Sequence, residues 1–142
     1  QLISGQPHNR LHSQLDNGSE SQSYKILGRE PIKIHPQDAQ ARRLVDGDIV
    51  EVFNKRGKCL AGVTISKEVM QGVVFLPVGA WYDPIDDGGF CIHGNPNVLT
   101  ADIGTSSLSQ GPSAHSTLVE VKKFVKELPE LNVFKKPPTN IK

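Results

Sequence analysis

Residues 93 to 106, HGNPNVLTADIGTS, gather two side-chain amides (Asn95, Asn97), a carboxylate (Asp102) and three hydroxyls (Thr100, Thr105, Ser106) into one short segment. Only Val98, Leu99, Ala101 and Ile103 are left to fill a core, so the chemistry on offer is that of hydrogen-bond donors and acceptors. A carboxylate such as Asp102 accepts two parallel hydrogen bonds from the adjacent NH and NH2 of a guanine or pterin edge. Hydroxyls and glycine amides suit phosphate or ribose. Asx and Ser/Thr turns account for the same composition with no ligand, and the residues alone leave both readings open.

A second segment, QPHNRLHSQLDNG (residues 6 to 18), suits an anionic ligand rich in heteroatoms. Arg10 offers a planar fork to phosphate oxygens, His12 and Ser13 add donors, and Gln14 reads a donor and an acceptor edge together. A capped surface turn is the plainer account. His8 and His12 stand four apart, the spacing of two zinc ligands on a helix begun by Pro7. A third ligand would have to come from Cys91 or His93 in the other segment.

Other motifs carry less. Trp81 and Tyr82 read as packing with a satisfied polar tip. Gly18-Ser19 is the dipeptide of self-cleaving pyruvoyl enzymes and also an ordinary loop pair. Asp86-Asp87-Gly88-Gly89 lacks the full ligand spacing of a calcium loop. No nucleophile elbow supports a Ser-His-Asp set, and no catalytic or metal-binding residue is assigned. Cys59 and Cys91, the only cysteines, stand too far apart in sequence for a zinc knuckle or redox dithiol.

The elements that must position these groups are mainly strands. DIVEVF (48 to 53) and CLAGVTIS (59 to 66) form a hairpin turning near Gly57, and the apolar run GVVFLPVG (72 to 79) reads as a buried strand. Further strands are expected at 1 to 4, 31 to 35 and 116 to 124. One helix is expected over HPQDAQARRLV (35 to 45), with Pro36 in its first turn, Asp38 at its positive end, and a stop at Asp46-Gly47. Residues 5 to 30 and 80 to 117 show no periodicity and hold four of the five histidines, so they form a site if the fold brings them to one end. Dense polarity with few apolar contacts predicts that both are mobile without a ligand.

At 142 residues the chain fits one domain. Its net charge of +1 divides into −3 over residues 1 to 121 and +4 over the lysine-rich end, which argues against a nucleic-acid-binding face on the body. No apolar run reaches membrane-spanning length, and QLISGQPHNR lacks the regions of a signal peptide.

RLHSQLDNG, GREPIKIHPQDAQAR, DGDIVEVFNKRG, GAWYDP and HGNPNVLTADIGTSSLSQ, in that order, resemble the C-terminal molybdopterin-dinucleotide-binding domain of the dimethyl sulfoxide, trimethylamine N-oxide and biotin sulfoxide reductases. The likeness runs over about residues 1 to 124. It implies an all-β fold with minor α: a six-stranded double-psi β-barrel with short helices and long polar loops. Residues 125 to 142 become a flexible basic tail. It also implies bis(molybdopterin guanine dinucleotide) with molybdenum as cofactor. The cofactor-facing residues are then Gln6, His8, Arg10, His12, Ser13 and Gln14 in the first loop, and His93, Asn95, Asn97, Thr100, Asp102 and Thr105 in the second. Arg10 falls to phosphate, and Asn97 or Asp102 to a heterocycle edge.

In the family a side chain from an earlier domain, usually serine, ligates the metal, so the partners implied are the other domains of the same reductase and a small S-oxide or N-oxide. The fragment alone is expected to be inactive. The compartment stays open between periplasm and cytoplasm, with the periplasm ahead. Arg43 stands where the resemblance leads one to expect glycine, and the lysine-rich end departs from the family pattern. Two other readings of the barrel are a pyruvoyl decarboxylase cleaved before Ser19 and a non-catalytic interaction module.

Overall fold

A computed structural model describes residues 1–85 and 89–136. The possible calcium loop at Asp86, Asp87 and Gly88 lies outside the described residues, as does the end of the lysine-rich tail. The strands are β1 (Leu2–Ile3), β2 (Pro31–Ile34), β3 (Ile49–Phe53), β4 (Lys58–Ile65), β5 (Val74–Phe75), β6 (Phe90–Cys91) and β7 (Glu120–Lys123). They make one mixed sheet in the order β1-β5-β2-β4-β3-β7, with β6 beside β4 and off that path. The fold is therefore mostly β, as expected, with seven strands among the described residues rather than six. The sheet is open, and among the described residues β1 is bridged at Leu2 to Thr117, in the segment that leads into β7.

The β3–β4 hairpin follows from its sequence. The Asn54 N–H donates to the Gly57 carbonyl (3.0 Å), and Val50 to Phe53 pair antiparallel with Ala61 to Lys58. Alternation along both strands sends Val50, Val52, Cys59, Ala61 and Val63 to one core, while Ile49 and Leu60 join Ile92 in a second cluster on the other face. β4 is thus buried on both sides, and the second side needs a cover. Ile26, Phe124, Leu128 and Leu131 supply it. Leu128 and Leu131 come from the stretch read as a flexible basic tail, and they pack here because an apolar strand face would otherwise meet water.

The buried strand expected over 72 to 79 is formal strand only at Val74–Phe75, since Pro77 has no N–H to give a ladder. Its N–H groups still follow β1 in parallel: Leu76 donates to Ile3 O and Val78 to Gly5 O, both at 3.0 Å. Two helices flank the sheet, α1 (Ser19–Tyr24) and α2 (Pro36–Ala41). α2 begins as expected, with Pro36 at its start, Asp38 in the first turn and the His35 side chain capping Gln37 N–H. It stops five residues before Asp46. A Schellman motif ends it: Leu44 N–H donates to Ala39 O (2.9 Å), Arg43 N–H to Gln40 O (3.1 Å), and Arg43 takes φ +54°. Glycine is the usual residue at that position, and arginine occupies it here.

Candidate functional site

A cavity of about 800 Å3 lies off the ends of the parallel pair β1 and β5. Ser4, Gly5 and Gln6 continue β1 along one wall, and residues 78–82 continue β5 beside them. His12 and Ser13 close one end, Asn95 and Asn97 another, and His115 approaches from the loop before β7. The first loop comes this close because residue 79 is glycine. Gly79 has φ +97°, and a Cβ there would collide with the His12 carbonyl. His12 (φ +50°) and Leu15 (φ +60°) hold left-handed backbone in the tight turns closed by Gln14 N–H to Leu11 O and Gly18 N–H to Leu15 O. Such backbone in residues other than glycine costs about 1–2 kcal/mol each and persists only where the surroundings enforce it.

The enforcement comes from four buried charges beneath the loop. Arg10 donates to Glu30 Oε1 (3.0 Å), Ser21 Oγ (3.2 Å), Val78 O (2.9 Å) and, from Nε, His12 O (3.1 Å). Lys25 Nζ lies 2.8 Å from Asp16 Oδ1 and 2.7 Å from Glu30 Oε2. All four side chains are at most 2 % exposed and their charges cancel. Burial disfavours the Asp16 carboxylate, but Lys25 and the Trp81 N–H outweigh it and hold the Asp16 carboxyl below its ordinary value.

Four of the Arg10 N–H donors are committed inside the protein, where they support the loop, and Arg10 is not among the residues lining the cavity.

Trp81 links the parts. Its N–H donates to Asp16 Oδ2 (2.9 Å), its Nε1–H to Ser13 O (2.7 Å), and its carbonyl accepts from His93 Nδ1 (2.9 Å). His93 is therefore the Nδ1–H tautomer. Burial first, then the Lys25 charge, lowers its pKa against the opposing pull of the Trp81 carbonyl and the acids, so the ring is neutral. His93 Nε2, the atom that would take a proton from a nucleophile, is buried without a partner among the described residues. His93 is not among the residues lining this cavity, and its fully buried ring packs against Phe134 behind Trp81.

Of the residues read from the sequence, the fold brings Gln6, His12, Ser13, Asn95 and Asn97 to one cavity. Asn95 Oδ1 also accepts from Asn97 N–H (2.9 Å), an Asx turn that orders the GNPN segment. His8 turns away into a neighbouring cavity of about 400 Å3, its ring 5.1 Å from Tyr24, so His8 and His12 do not share a helix face. Gln14 is exposed. Thr100 donates to Asn97 O (3.3 Å) and Thr105 to Ser109 O (3.0 Å), while Asp102 stands in an exposed loop. Thr100 and Thr105 thus spend their hydroxyls on local backbone carbonyls, and none of these three residues is among those lining the cavity.

Ser4, His115, Tyr82 and the backbone of residues 78–80 are site residues that sequence reasoning did not identify. Ser4 Oγ is buried in the wall with no partner among the described residues, and Ser4 N–H donates to His115 Nδ1 (3.4 Å). Among the described residues no Lys, Arg, Asp or Glu lines this cavity.

A family model described as "Molydopterin dinucleotide binding domain" matches residues 1–118. The chain is 46% identical over 140 residues to trimethylamine-N-oxide reductase of Haemophilus influenzae, covering 96% of this chain and 17% of that protein. It is 52% identical over 128 residues to trimethylamine-N-oxide reductase 1 of Escherichia coli K12, covering 87% of this chain and 15% of that protein. The chain thus spans about a sixth of the length of these relatives. Among solved structures, acetylene hydratase from Pelobacter acetylenicus superimposes on 87% of this chain, with a TM-score of 0.68 at 18% identity, a likeness of fold.

Proposed function

The chain belongs to the molybdopterin dinucleotide-binding domain family, and we propose that it is the cofactor-holding domain of an S-oxide or N-oxide reductase, with trimethylamine N-oxide the first substrate to test. The observation that carries this reading is the one cavity into which both polar loops deliver donors and acceptors: Gln6, His12 and Ser13 from one side, Asn95 and Asn97 from the other. The residues present fit bis(molybdopterin guanine dinucleotide). Ser4 Oγ is a buried hydroxyl still in need of a partner, and Gly79 keeps open a space that a side chain would fill.

When bound, the group supplies the molybdenum that takes the oxygen atom and the two electrons that reduce the oxide. This chain's residues bind and orient. Asn95 and Asn97 read the edge of a heterocycle, while Ser4, His12 and Ser13 meet ribose or pterin polar atoms. Trp81 and Tyr82 keep water from that side. With no Lys or Arg in the lining, the wall suits the uncharged parts of a dinucleotide, and countercharge for its pyrophosphate falls to other domains of the same polypeptide. On this reading the sheet is a double-psi β-barrel, supported by the parallel pairs β1/β5 and β2/β4 and by the Leu2–Thr117 bridge.

The test is a residue-resolved NMR titration of the 142-residue chain with GDP, using ADP as control. Shifts at Gln6, His12, Ser13, Asn95 and Asn97 that are larger for GDP are expected, at roughly millimolar affinity, the weak end of specific binding. Equal responses to ADP reduce the claim to general nucleotide contact. A chain that ignores both nucleotides and binds peptides instead would be an interaction module.

A further inference from the structure

The general family match ends at residue 118, yet the chain goes on to lay residues 128–134 across the back of the cavity wall. The segment is tied along its length. The Arg29 guanidinium donates to the Pro129 carbonyl. Leu131 packs in the second apolar cluster, and its Cδ1 occupies the space above Gly28. Asn132 and Val133 N–H groups, at 2.7 and 3.0 Å, both donate to one oxygen of Asp83, a buried carboxylate two residues from Trp81. The segment then delivers Phe134 against two rings at once, 5.6 Å from Trp81 and 5.0 Å from His93.

Trp81 needs such a support. It is only half-buried, yet three of its polar groups join the first loop, the buried charges and His93. A partly exposed indole is not fixed by burial alone, and a tilted aromatic neighbour restricts its rotation. We propose that residues 128–134 are a strap that positions Trp81, with Phe134 and Asp83 as its positioning residues, and that through Trp81 the strap sets the His12–Ser13 wall of the cavity. The last step rests on the cofactor reading above. The positioning of Trp81 does not.

Trp81 is the only tryptophan, so it reports on itself. Three variants of the 142-residue chain, Phe134→Ala, Phe134→Leu and Leu128→Ala, are compared by Trp81 emission and quenching, amide exchange at residues 12–14, and GDP titration. Phe134→Ala is expected to redden the emission, increase quenching, and speed exchange at 12–14 by roughly three- to tenfold, the range that loss of an aromatic pair sustains. Phe134→Leu recovers part of each change. Leu128→Ala removes apolar cover at the far end of the strap and lowers stability without moving Trp81.

A folded Phe134→Ala chain with unchanged Trp81 emission overturns the proposal, as does an equal response in Leu128→Ala. If Phe134→Ala does not fold, Asp83→Asn, which weakens the two N–H bonds without opening a void, is read by the same criteria. Weaker GDP shifts in Phe134→Ala support the strap's service to the cavity. Unaltered GDP shifts beside an altered Trp81 overturn that part. A parent chain silent to GDP overturns the cofactor reading alone, and the Trp81 and exchange data then decide the strap.

Discussion

Replacing Lys25 with methionine removes one ammonium from the buried set while keeping most of its aliphatic stem. In the native protein that ammonium contacts both Asp16 and Glu30 at under 3 Å, and the set sums to zero charge. Without it, two carboxylates share the single Arg10 guanidinium, and a net negative charge is left where side-chain exposure is 2 % or less. Breaking a buried pair in this way costs about 3–5 kcal/mol, against a total stability of roughly 5–15 kcal/mol for a domain.

The charge count also predicts a rescue. Adding Glu30→Gln restores neutrality, so the double variant should be more stable than Lys25→Met alone, with a coupling of about 1–3 kcal/mol. Urea unfolding followed by Trp81 fluorescence measures all four corners of the cycle. A loss below about 1 kcal/mol for Lys25→Met, or a Glu30→Gln change that deepens the loss, would mean that water screens these charges and that the loop is held by something else.

Three further outcomes follow from the same geometry. Arg43→Gly should raise stability by about 0.5–1 kcal/mol, because relief of the left-handed backbone exceeds the extra entropy of the unfolded chain; thermal unfolding should shift upward by about 2–4 °C. Gly79→Ala should lose at least about 2 kcal/mol in denaturant unfolding through its positive φ and its overlap with the His12 carbonyl. Stability should also fall as pH drops below the 6.5 of an ordinary histidine, because the unfolded chain protonates His93 more readily than the folded one. Since the Asp16 pKa is depressed too, a second loss should begin below its ordinary 3.8 and deepen as pH falls through the folded value. Calorimetry across pH with His93→Gln should remove the first step and leave the second.

The parts of the fold that were legible in the sequence are those where one local pattern decides the structure. The β3–β4 hairpin is marked by alternation and Gly57, and the start of α2 by Pro36 and Asp38. Helix α1 was not legible, because SESQSY carries no apolar stripe, and β6 is only Phe90 and Cys91 laid beside β4. The two cysteines, distant in the chain, prove to be register partners, where burial and the neighbouring Cys91 push the Cys59 thiol up.

The site divides in the same way. Amides and hydroxyls in tight turns singled out two loops, parts of which line one cavity. Which of them reach the cavity depends on the long-range docking of residues 78–82, and no local pattern carries that. Arg10 reads as a phosphate ligand in sequence and Asp16, Lys25 and Glu30 as surface charges, and only the fold turns all four inward. The buried set also bears on the expectation of loose loops. In the first segment Leu11 and Leu15 are exposed, Ile26 packs in the second apolar cluster, and Arg10 and Asp16 add buried ionic contacts. Ser4 and His115 sit in stretches with no distinguishing motif.

A cavity lined by amides, hydroxyls and two histidines, with no Lys, Arg, Asp or Glu among the described residues, has a kinetic consequence. Nothing fixed in its wall pulls a polyanionic dinucleotide in from a distance, so association lacks electrostatic steering and should stay near an unsteered rate of about 10⁵–10⁶ M⁻¹s⁻¹. Ionic strength, which weakens attraction between separated charges over a Debye length of about 10 Å at 0.1 M, should then leave nucleotide affinity at this wall nearly unchanged. A surface of this kind does not fetch its ligand. On the proposed function, it is suited to close over a cofactor already held elsewhere in the enzyme.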